Sequence, residues 1–407
     1  MGRSSPDFPQ IEGGSWVFGM REEFAHLRSI AAVLCAALIS GAAPSSGPIE
    51  PPPPAAGVQR VVAWEAMDLS SGSIVLKVQI AGETIAAVLD TGASHSIIDS
   101  SLAKRLGIAT AKSVSVNGFS KQVRAHHSVG TQITAAGSEY TTSLLVVDMS
   151  PTGLEQKMIL GRDFLDSHVV KFDFTNSRFR VLENAEAESL TSTPIPLLSY
   201  SRRILRIPVR INGQEEFADL DLGNQNSLLI SDSAAARLIP ELPRSTWVTL
   251  DVSGLLTTGS VVVPVLSVAG TDLRSVPALV MTLPDNASAN VGLPVLRRFG
   301  MVLDLGKSRL WLTPDAAAIE RPFERNRLGA ALDPQEEGLK ILHVALNSPA
   351  AAAGLAVGDV IVEVDGRRVT RDNRSELSRF GDGAAGESHR ILTKAGRSIV
   401  LQLRDYY

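Results

Sequence analysis

The 407-residue chain is predicted to be a mainly β protein with an internal duplication, followed by a small αβ module near the C-terminus. Three observations support this fold class. Stretches such as SIVLKVQIAG and TTSLLVVD alternate between apolar and polar residues and are separated by turn-forming Gly, Asn and Asp, which is typical of half-buried strands. A long segment recurs at a constant spacing. The composition also changes after Pro314, where charged and helix-prone residues become frequent.

Length and composition indicate a globular protein of two or three domains. The chain is 44% hydrophobic and 20% charged, and it is long enough to form several cores. Its formal net charge of -4 is accompanied by no basic run of the kind that binds a phosphate backbone, so we do not expect nucleic acid as a partner. The single cysteine, Cys35, precedes the folded region, and we therefore expect no disulfide.

Residues 1–43 are predicted to be a secretory signal peptide. The uncharged run IAAVLCAALISGAA follows Arg21 and Arg28 and ends in small residues, which is typical of such signals. The run is shorter than the roughly 20 apolar residues that a membrane-spanning helix needs, so an uncleaved membrane anchor is the weaker hypothesis. Translation could also start at Met20, because the preceding residues add nothing to the signal. We expect an exported protein, periplasmic or secreted.

Four regions lie between the predicted signal and the C-terminal module. Residues 44–57, PSSGPIEPPPPAAG, favour an extended linker because proline lacks the backbone donor of helices and sheets. The repeat then predicts two lobes, at 58–183 and 196–313, joined by the polar linker 184–195.

The duplication is visible at one constant offset. VQIAGETIAAVLDTGASHSIIDS from Val78 matches VRINGQEEFADLDLGNQNSLLIS from Val209, so that Asp90 falls on Asp221 and Gly92 on Gly223. The same offset returns far downstream in both halves. The further identical pairs are Ile80 and Ile211, Gly82 and Gly213, Ser96 and Ser227, Ser100 and Ser231, Gly161 and Gly292, Asp173 and Asp304, Ser177 and Ser308, and Arg178 and Arg309.

Asp90 and Asp221 are predicted to form a catalytic pair. Two carboxyl groups in one pocket cannot both ionise easily, so they share a proton and titrate together. The ionised member can take a proton from a water molecule that attacks a peptide carbonyl, while the protonated member donates a hydrogen bond to the carbonyl oxygen. This chemistry requires neither a cofactor nor a metal.

The residues after Asp90 suit a buried carboxyl group. The apolar run AAVL predicts a buried strand, which Thr91, Gly92, Ala93 and Ser94 end in a tight turn. Gly92 allows backbone amides to approach the carboxylate, and Thr91 supplies a hydroxyl group.

VLDTGAS followed by ILGRDFL resembles the retropepsin-like aspartic peptidases, and the resemblance extends over both lobes. It implies a two-lobed, acid-protease-like β-barrel fold in which each half contributes one catalytic turn. As in the pepsin-type members, both halves lie in one chain. The resemblance therefore implies a monomeric aspartic endopeptidase that acts on a peptide or protein substrate.

The second lobe departs from this pattern. Asp221 is followed by Leu222, Gly223 and Asn224, and Leu222 has no hydroxyl for the hydrogen bonds that Thr makes across the pair in this family. Two alternatives therefore stay open. The chain could be a catalytically inactive peptide-binding scaffold or adaptor with a relic protease cleft, or two copies of Asp90 could meet in a dimer. Asp219 is a rival carboxylate, but strand alternation and the repeat register disfavour it.

Histidines near the predicted site raise the alternative of a metal centre. No Cys or Glu lies at ligand spacing from His95, and His126 and His127 are adjacent in a polar segment, where we expect an exposed loop. The sequence therefore predicts no metal site.

The C-terminal module, residues 325–405, resembles the PDZ domains attached to bacterial exported proteases. The resemblance rests on SPAAAAGLAVGDVIVEVDGRRV, preceded by LGAAL. It implies that an extended peptide, or the C-terminus of a protein, adds as a strand to a sheet edge and that a loop receives its carboxylate. The predicted loop residues are Leu328, Gly329, Ala330, Ala331 and Leu332. The alternative is a PDZ fold that only contacts the lobes.

Overall fold

The computed structural model describes residues 38–39, 63–117, 122–150, 154–200, 204–251 and 254–407. The predicted signal peptide and the proline-rich linker lie outside these ranges, except for the short strand Leu38–Ile39. In the part of the chain that the structure describes, no helix is both long enough and apolar enough to cross a membrane. The described residues are mainly strands, which confirms the predicted fold class.

Lobe 1 is built on a ten-stranded sheet in the order β1-β6-β7-β10-β5-β11-β4-β3-β8-β9. Its strands and helices are β1 (Leu38–Ile39), β2 (Glu65–Ala66), β3 (Ile74–Ile80), β4 (Glu83–Leu89), β5 (Ile97–Asp99), α1 (Ser100–Arg105), β6 (Thr110–Asn117), β7 (Gln122–Ser128), β8 (Thr131–Ala135), β9 (Ser138–Thr142), β10 (Leu145–Val147), β11 (Met158–Leu160), α2 (Arg162–Leu165), β12 (Val169–Asp173), β13 (Arg178–Leu182) and α3 (Asn184–Glu188).

Lobe 2 is built on an eight-stranded sheet in the order β15-β16-β17-β22-β18-β21-β20-β19. Its elements are β14 (Ile195–Pro196), β15 (Leu198–Tyr200), β16 (Ile204–Ile211), β17 (Gln214–Leu220), β18 (Leu228–Ile230), α4 (Asp232–Leu238), β19 (Ser245–Asp251), β20 (Gly254–Val268), β21 (Thr271–Val280), β22 (Ala289–Val291), α5 (Leu293–Leu296), β23 (Phe299–Asp304), β24 (Arg309–Pro314) and α6 (Ala316–Glu320).

The centres of the two sheets have the same topology. In lobe 1, β11 pairs parallel to β4 and antiparallel to β5, and β5 pairs parallel to β10. In lobe 2, β22 pairs parallel to β17 and antiparallel to β18, and β18 pairs parallel to β21. β4 and β17 therefore hold equivalent places in the two lobes, and Asp90 and Asp221 directly follow them.

A third sheet joins the lobes. Its order is β14-β24-β23-β12-β13-β2, so that strands of lobe 2 pair directly with strands of lobe 1. The central contact is antiparallel, from Val169 opposite Asp304 to Phe172 opposite Met301. One continuous apolar cluster also contains buried residues of both lobes. The lobes consequently share both backbone pairing and a core.

The C-terminal module has its own sheet and core. Its elements are β25 (Ala330–Gln335), β26 (Gly338–Val344), α7 (Pro349–Ala352), β27 (Val360–Val364), β28 (Arg367–Arg368), α8 (Arg374–Leu377), β29 (Ser388–Thr393) and β30 (Ser398–Gln402). The sheet order is β25-β26-β27-β29-β30. The module contacts lobe 2, where Ser245 Oγ donates to the Leu346 carbonyl at 2.7 Å and Thr246 Oγ1 lies 3.0 Å from His343 Nε2.

The predicted carboxylate-binding loop is shorter than expected. Only Leu328 and Gly329 precede the strand, whereas Ala330, Ala331 and Leu332 belong to β25. These three residues pair antiparallel with β26, so they belong to the sheet and not to the loop.

Candidate active site

The two catalytic candidates follow equivalent buried strand ends. The last three residues of β4, Ala87 to Leu89, are fully buried, and the chain then reaches Asp90. The Asp90 N–H donates to the Leu160 carbonyl of β11 at 3.0 Å. The Asp221 N–H makes the equivalent bond to Val291 of β22 at 3.1 Å. Pairing with β11 and β22 thus fixes the backbone of both aspartates.

Each carboxyl group is held by the turn that follows it. Asp90 Oδ1 accepts hydrogen bonds from the N–H groups of Gly92 at 2.7 Å and Ala93 at 3.2 Å. Asp221 Oδ1 accepts the equivalent bonds from Gly223 at 3.0 Å and Asn224 at 3.1 Å. Backbone donors in this arrangement stabilise a charged carboxylate. Both turns therefore provide the same cradle.

The two glycines show how closely the turns approach each other. A Cβ atom built on Gly92 would lie 3.0 Å from Asp221 Oδ1, and one built on Gly223 would lie 2.3 Å from Asp90 Cγ. Each glycine therefore faces the carboxyl group of the other lobe. Asp90 and Asp221 lie close together at the lobe interface. This approach is possible because neither glycine carries a side chain.

Thr91 connects the lobes, and Leu222 does so only by apolar packing. Thr91 Oγ1 donates to the Leu220 carbonyl at 2.8 Å and accepts from the Leu222 N–H at 2.8 Å. The Leu222 side chain is fully buried in the shared apolar core. Leu222 has no hydroxyl group, so the hydroxyl that bridges the two turns is that of Thr91.

We expect Thr91→Val to lower the free energy of unfolding by about 2–4 kcal/mol, because it removes the partner of two buried backbone groups. Denaturant unfolding of the variant measures this loss. Thr84→Val, at an exposed position of β4, is the matched control. Equal stabilities of the two variants would contradict the bridging role of Thr91.

Asn290 is a residue of the site that the sequence analysis missed. Its Nδ2 donates to Asp221 Oδ2 at 2.8 Å, and its Oδ1 accepts from Asn224 Nδ2 at 2.8 Å. Ile159 holds the equivalent position in lobe 1, and Ala93 is the equivalent of Asn224. Lobe 2 therefore has a buried amide pair where lobe 1 is apolar. In the sequence, the clue to this role is the single Asn in ANV of β22, the segment that aligns with MIL of β11.

The two carboxyl groups have different surroundings. Burial raises the pKa of Asp90 well above its ordinary value, and the neighbouring charge of Asp221 raises it further. Burial also raises the pKa of Asp221, but hydrogen bonds from Asn290 and Gly223 oppose that increase. In the described part of the chain no donor reaches Asp90 Oδ2. Asp90 is therefore favoured as the protonated member and Asp221 as the ionised member.

We expect Asn290→Ile, which copies Ile159 of lobe 1, to move the acidic limb of a pH–rate profile to higher pH. The substitution removes a donor that stabilises ionised Asp221, so the pKa of Asp221 should rise. Because Asn224 would lose its acceptor, the double variant Asn224→Ala/Asn290→Ile serves as the control for that unpaired amide. An unmoved acidic limb in both variants would exclude this positioning role.

The remaining candidate residues lie outside the pair. Asp219 Oδ1 accepts from Arg206 Nε at 2.7 Å, and burial raises the pKa of Asp219 to about 6. The ion pair with Arg206 explains why the Asp219 carboxylate can be buried, so no catalytic role is needed to explain its position. Ser94 Oγ lies 3.0 Å from His95 Nδ1 on the half-exposed side of the first turn.

The exposed loop expected at His126 and His127 is instead a strand. Both residues belong to β7, where His126 pairs with Ser113 of β6 and His127 pairs with Leu145 of β10. Neighbouring side chains of a strand point to opposite faces, so these two rings cannot bind one ion together. Among the described residues no group of three or more His, Cys, Asp or Glu side chains could hold a metal ion.

Two segments of the chain match known protein families. The family model for aspartyl proteases matches residues 76–164, which include the Asp90 turn, and the family model for PDZ domains matches residues 340–394. No curated protein matches the chain. The two resemblances noted in the sequence are thereby confirmed. The chain contains an aspartyl protease-like domain and a C-terminal PDZ domain, and Asp221 lies outside the matched ranges.

Proposed function

We propose that this protein is an aspartic endopeptidase in which Asp90 and Asp221 share one proton. The observation that carries the proposal is the pairing of two buried carboxyl groups, each in the same amide cradle and each facing the glycine of the other lobe. This geometry is what a coupled carboxyl pair requires.

In the proposed reaction, ionised Asp221 takes a proton from a water molecule as the water oxygen bonds to the peptide carbonyl carbon. Protonated Asp90 donates a hydrogen bond to the carbonyl oxygen, which gains negative charge. Asp221 then transfers this proton to the peptide nitrogen, and cleavage of the C–N bond releases an amine and a carboxylic acid. The half-exposed Gly92, Ser94 and His95 provide the side from which a substrate backbone would approach the buried pair.

The PDZ domain is proposed to recruit a peptide or a protein C-terminus. β25 pairs with β26 alone among the described strands, so its other edge can accept an added strand. Gly329 has φ of +72°, which turns the chain sharply before this edge. We further propose that the protein is exported and acts as a monomer, since its one chain supplies both aspartates.

The decisive experiment is hydrolysis of a denatured protein and of a mixed peptide library by the full-length chain across a pH series, with products identified by mass spectrometry. We expect a bell-shaped profile that rises as Asp221 ionises and falls as Asp90 loses its proton. Because the pKa of Asp90 is raised, activity should persist above the ordinary range of carboxyl groups. Absence of cleavage at every pH would refute the proposal.

The second candidate function is a peptide-binding scaffold without hydrolysis. Leu222 favours it, because this buried side chain cannot return the hydrogen bonds that Thr91 makes. A scaffold would bind peptides from the same library and return them intact. The same mass spectra therefore separate the two candidates.

A further inference from the structure

A cavity of about 480 Å³ lies between the lobes and the PDZ domain. Residues 225–227, which continue the Asp221 turn, form one side of it. Phe174 of lobe 1, Trp247 of lobe 2 and Phe323 of the connecting segment supply aromatic walls. The cavity therefore lies beside the segment that follows the Asp221 turn, and it is large enough for several side chains of a peptide.

Three arginines give this cavity a positive charge. Arg298 is buried, donates to the carbonyls of Ala318 and Arg321 at 2.6 Å, and lies 3.6 Å from the centre of the Phe323 ring. Burial and the charges of Arg297 and Arg321 lower the pKa of Arg298 to about 10. Arg297 and Arg321 are exposed, and within the described ranges neither forms an ion pair. The hydrogen bond from Thr175 and, to a smaller extent, the charge of Arg321 lower the pKa of Asp315, so Arg321 already interacts with one carboxylate outside the cavity lining. Both arginines nevertheless stay exposed to a ligand.

The acidic groups of the cavity wall do not neutralise these arginines. Glu324 and Asp382 lie 3.0 Å and 3.5 Å, respectively, from Arg379, a further cation that is outside the cavity lining. The remaining cation of the wall, Arg325, is paired with Asp405 at 3.3 Å. Within the described ranges, neither Glu324 nor Asp382 forms an ion pair with Arg297, Arg298 or Arg321.

We propose that this cavity binds a peptide segment through a carboxylate held by Arg297 and Arg321, with apolar neighbours packed against the aromatic walls. Arginine binds carboxylates with charge-assisted hydrogen bonds, and the partly enclosed position strengthens them relative to open solvent. The carboxylate is supplied either by an acidic side chain or by a chain terminus. The site is separate from the catalytic pair and from the PDZ loop.

The test uses the full-length Asp90→Asn variant, so that binding is measured without hydrolysis and independently of the proposed peptidase activity. Three fluorescein-labelled peptides share one apolar sequence. The first has a central Glu and an amidated C-terminus, the second a central Gln and a free C-terminus, and the third a central Gln and an amidated C-terminus. Fluorescence anisotropy gives Kd for each. The cavity variant is Arg297→Gln/Arg321→Gln, and the control is Arg274→Gln at an exposed position of β21.

We expect at least one carboxylate peptide to bind about tenfold more tightly than the neutral peptide, and the cavity variant to lose that difference while Arg274→Gln retains it. The advantage should also shrink at high salt. If Gly329→Ala weakens the binding of the free-terminus peptide and the cavity variant does not, that peptide binds the PDZ loop. The proposal is then tested by the binding of the Glu peptide alone. Equal binding of all three peptides, or equal Kd values for the cavity variant and the control, would overturn the proposal.

Discussion

Asp90→Asn is expected to lower kcat for peptide hydrolysis by about 10²- to 10⁴-fold and to raise the melting temperature at neutral pH. The rate falls because Asn has no acidic proton to share with Asp221, so the coupled carboxyl pair is lost. Stability rises because the folded state no longer holds two buried carboxyl groups against each other. Catalytic groups commonly reduce stability in this way.

The pH dependence of this stability gain has a defined sign. The pKa of Asp90 is higher in the folded chain than in the unfolded chain. The stability that protonated Asp90 contributes to the folded state is therefore fully present below the unfolded pKa and is lost as pH rises through the folded pKa. Asp90→Asn should therefore stabilise the protein at neutral pH and have little effect in strong acid. Calorimetry at a series of pH values measures the difference, with Asp372→Asn, an exposed PDZ position, as the control.

Asp221→Asn is expected to remove activity as well, because Asn cannot accept the proton of the attacking water. Full activity in this variant alone would mean that two copies of Asp90 meet in a dimer, and the mass of the protein in solution would then be twice that of one chain. Full activity in Asp90→Asn would instead refute the peptidase assignment.

Gly223→Ala is expected to abolish hydrolysis and to destabilise the interface between the lobes. The added Cβ would lie 2.3 Å from Asp90 Cγ and 2.4 Å from its Oδ1, which is far inside van der Waals contact. Asp90 is held by the amides of its own turn, so relief of the clash requires the turns to separate. Small displacements of reacting groups cause large losses of rate. Steady-state kinetics and denaturant unfolding together measure both effects.

Gly92→Ala is the informative comparison, because its Cβ would lie 3.0 Å from the nearest Asp221 atom and needs only a small adjustment. We expect Gly92→Ala to retain more activity than Gly223→Ala. Gly300→Ala in β23, where the nearest atoms are at 3.9 Å, is the neutral control. If Gly223→Ala were as active as Gly300→Ala, the close approach of the two turns would be excluded.

The sequence predicted the architecture well, because the architecture follows from repeated patterns. Partial alternation along β3 and the change from exposed to buried residues along β4, which recurs in β17, are properties of the whole repeat, and one substitution does not hide them. The placement of Asp90 at a strand end followed for the same reason.

The features that were missed depend on contacts between distant segments. Asn290 lies 69 residues after Asp221, and its role arises only because β22 pairs with β17. The loop before β25 was predicted too long, since small residues such as Ala330 and Ala331 fit both a loop and a strand. The cavity at Arg297 and Arg321 combines segments of three units, so no local pattern could reveal it.

The sheet that joins the lobes also constrains the order in which the chain can fold during synthesis. β12 of lobe 1 has one edge that pairs with β13, and its other edge pairs with β23, which the ribosome produces far later. Until β23 emerges, lobe 1 presents an unpaired strand edge, and such edges promote association between chains. Nascent lobe 1 therefore needs either lobe 2 or a transient binding factor to cover that edge. We expect a truncated lobe 1 expressed alone to aggregate for this reason.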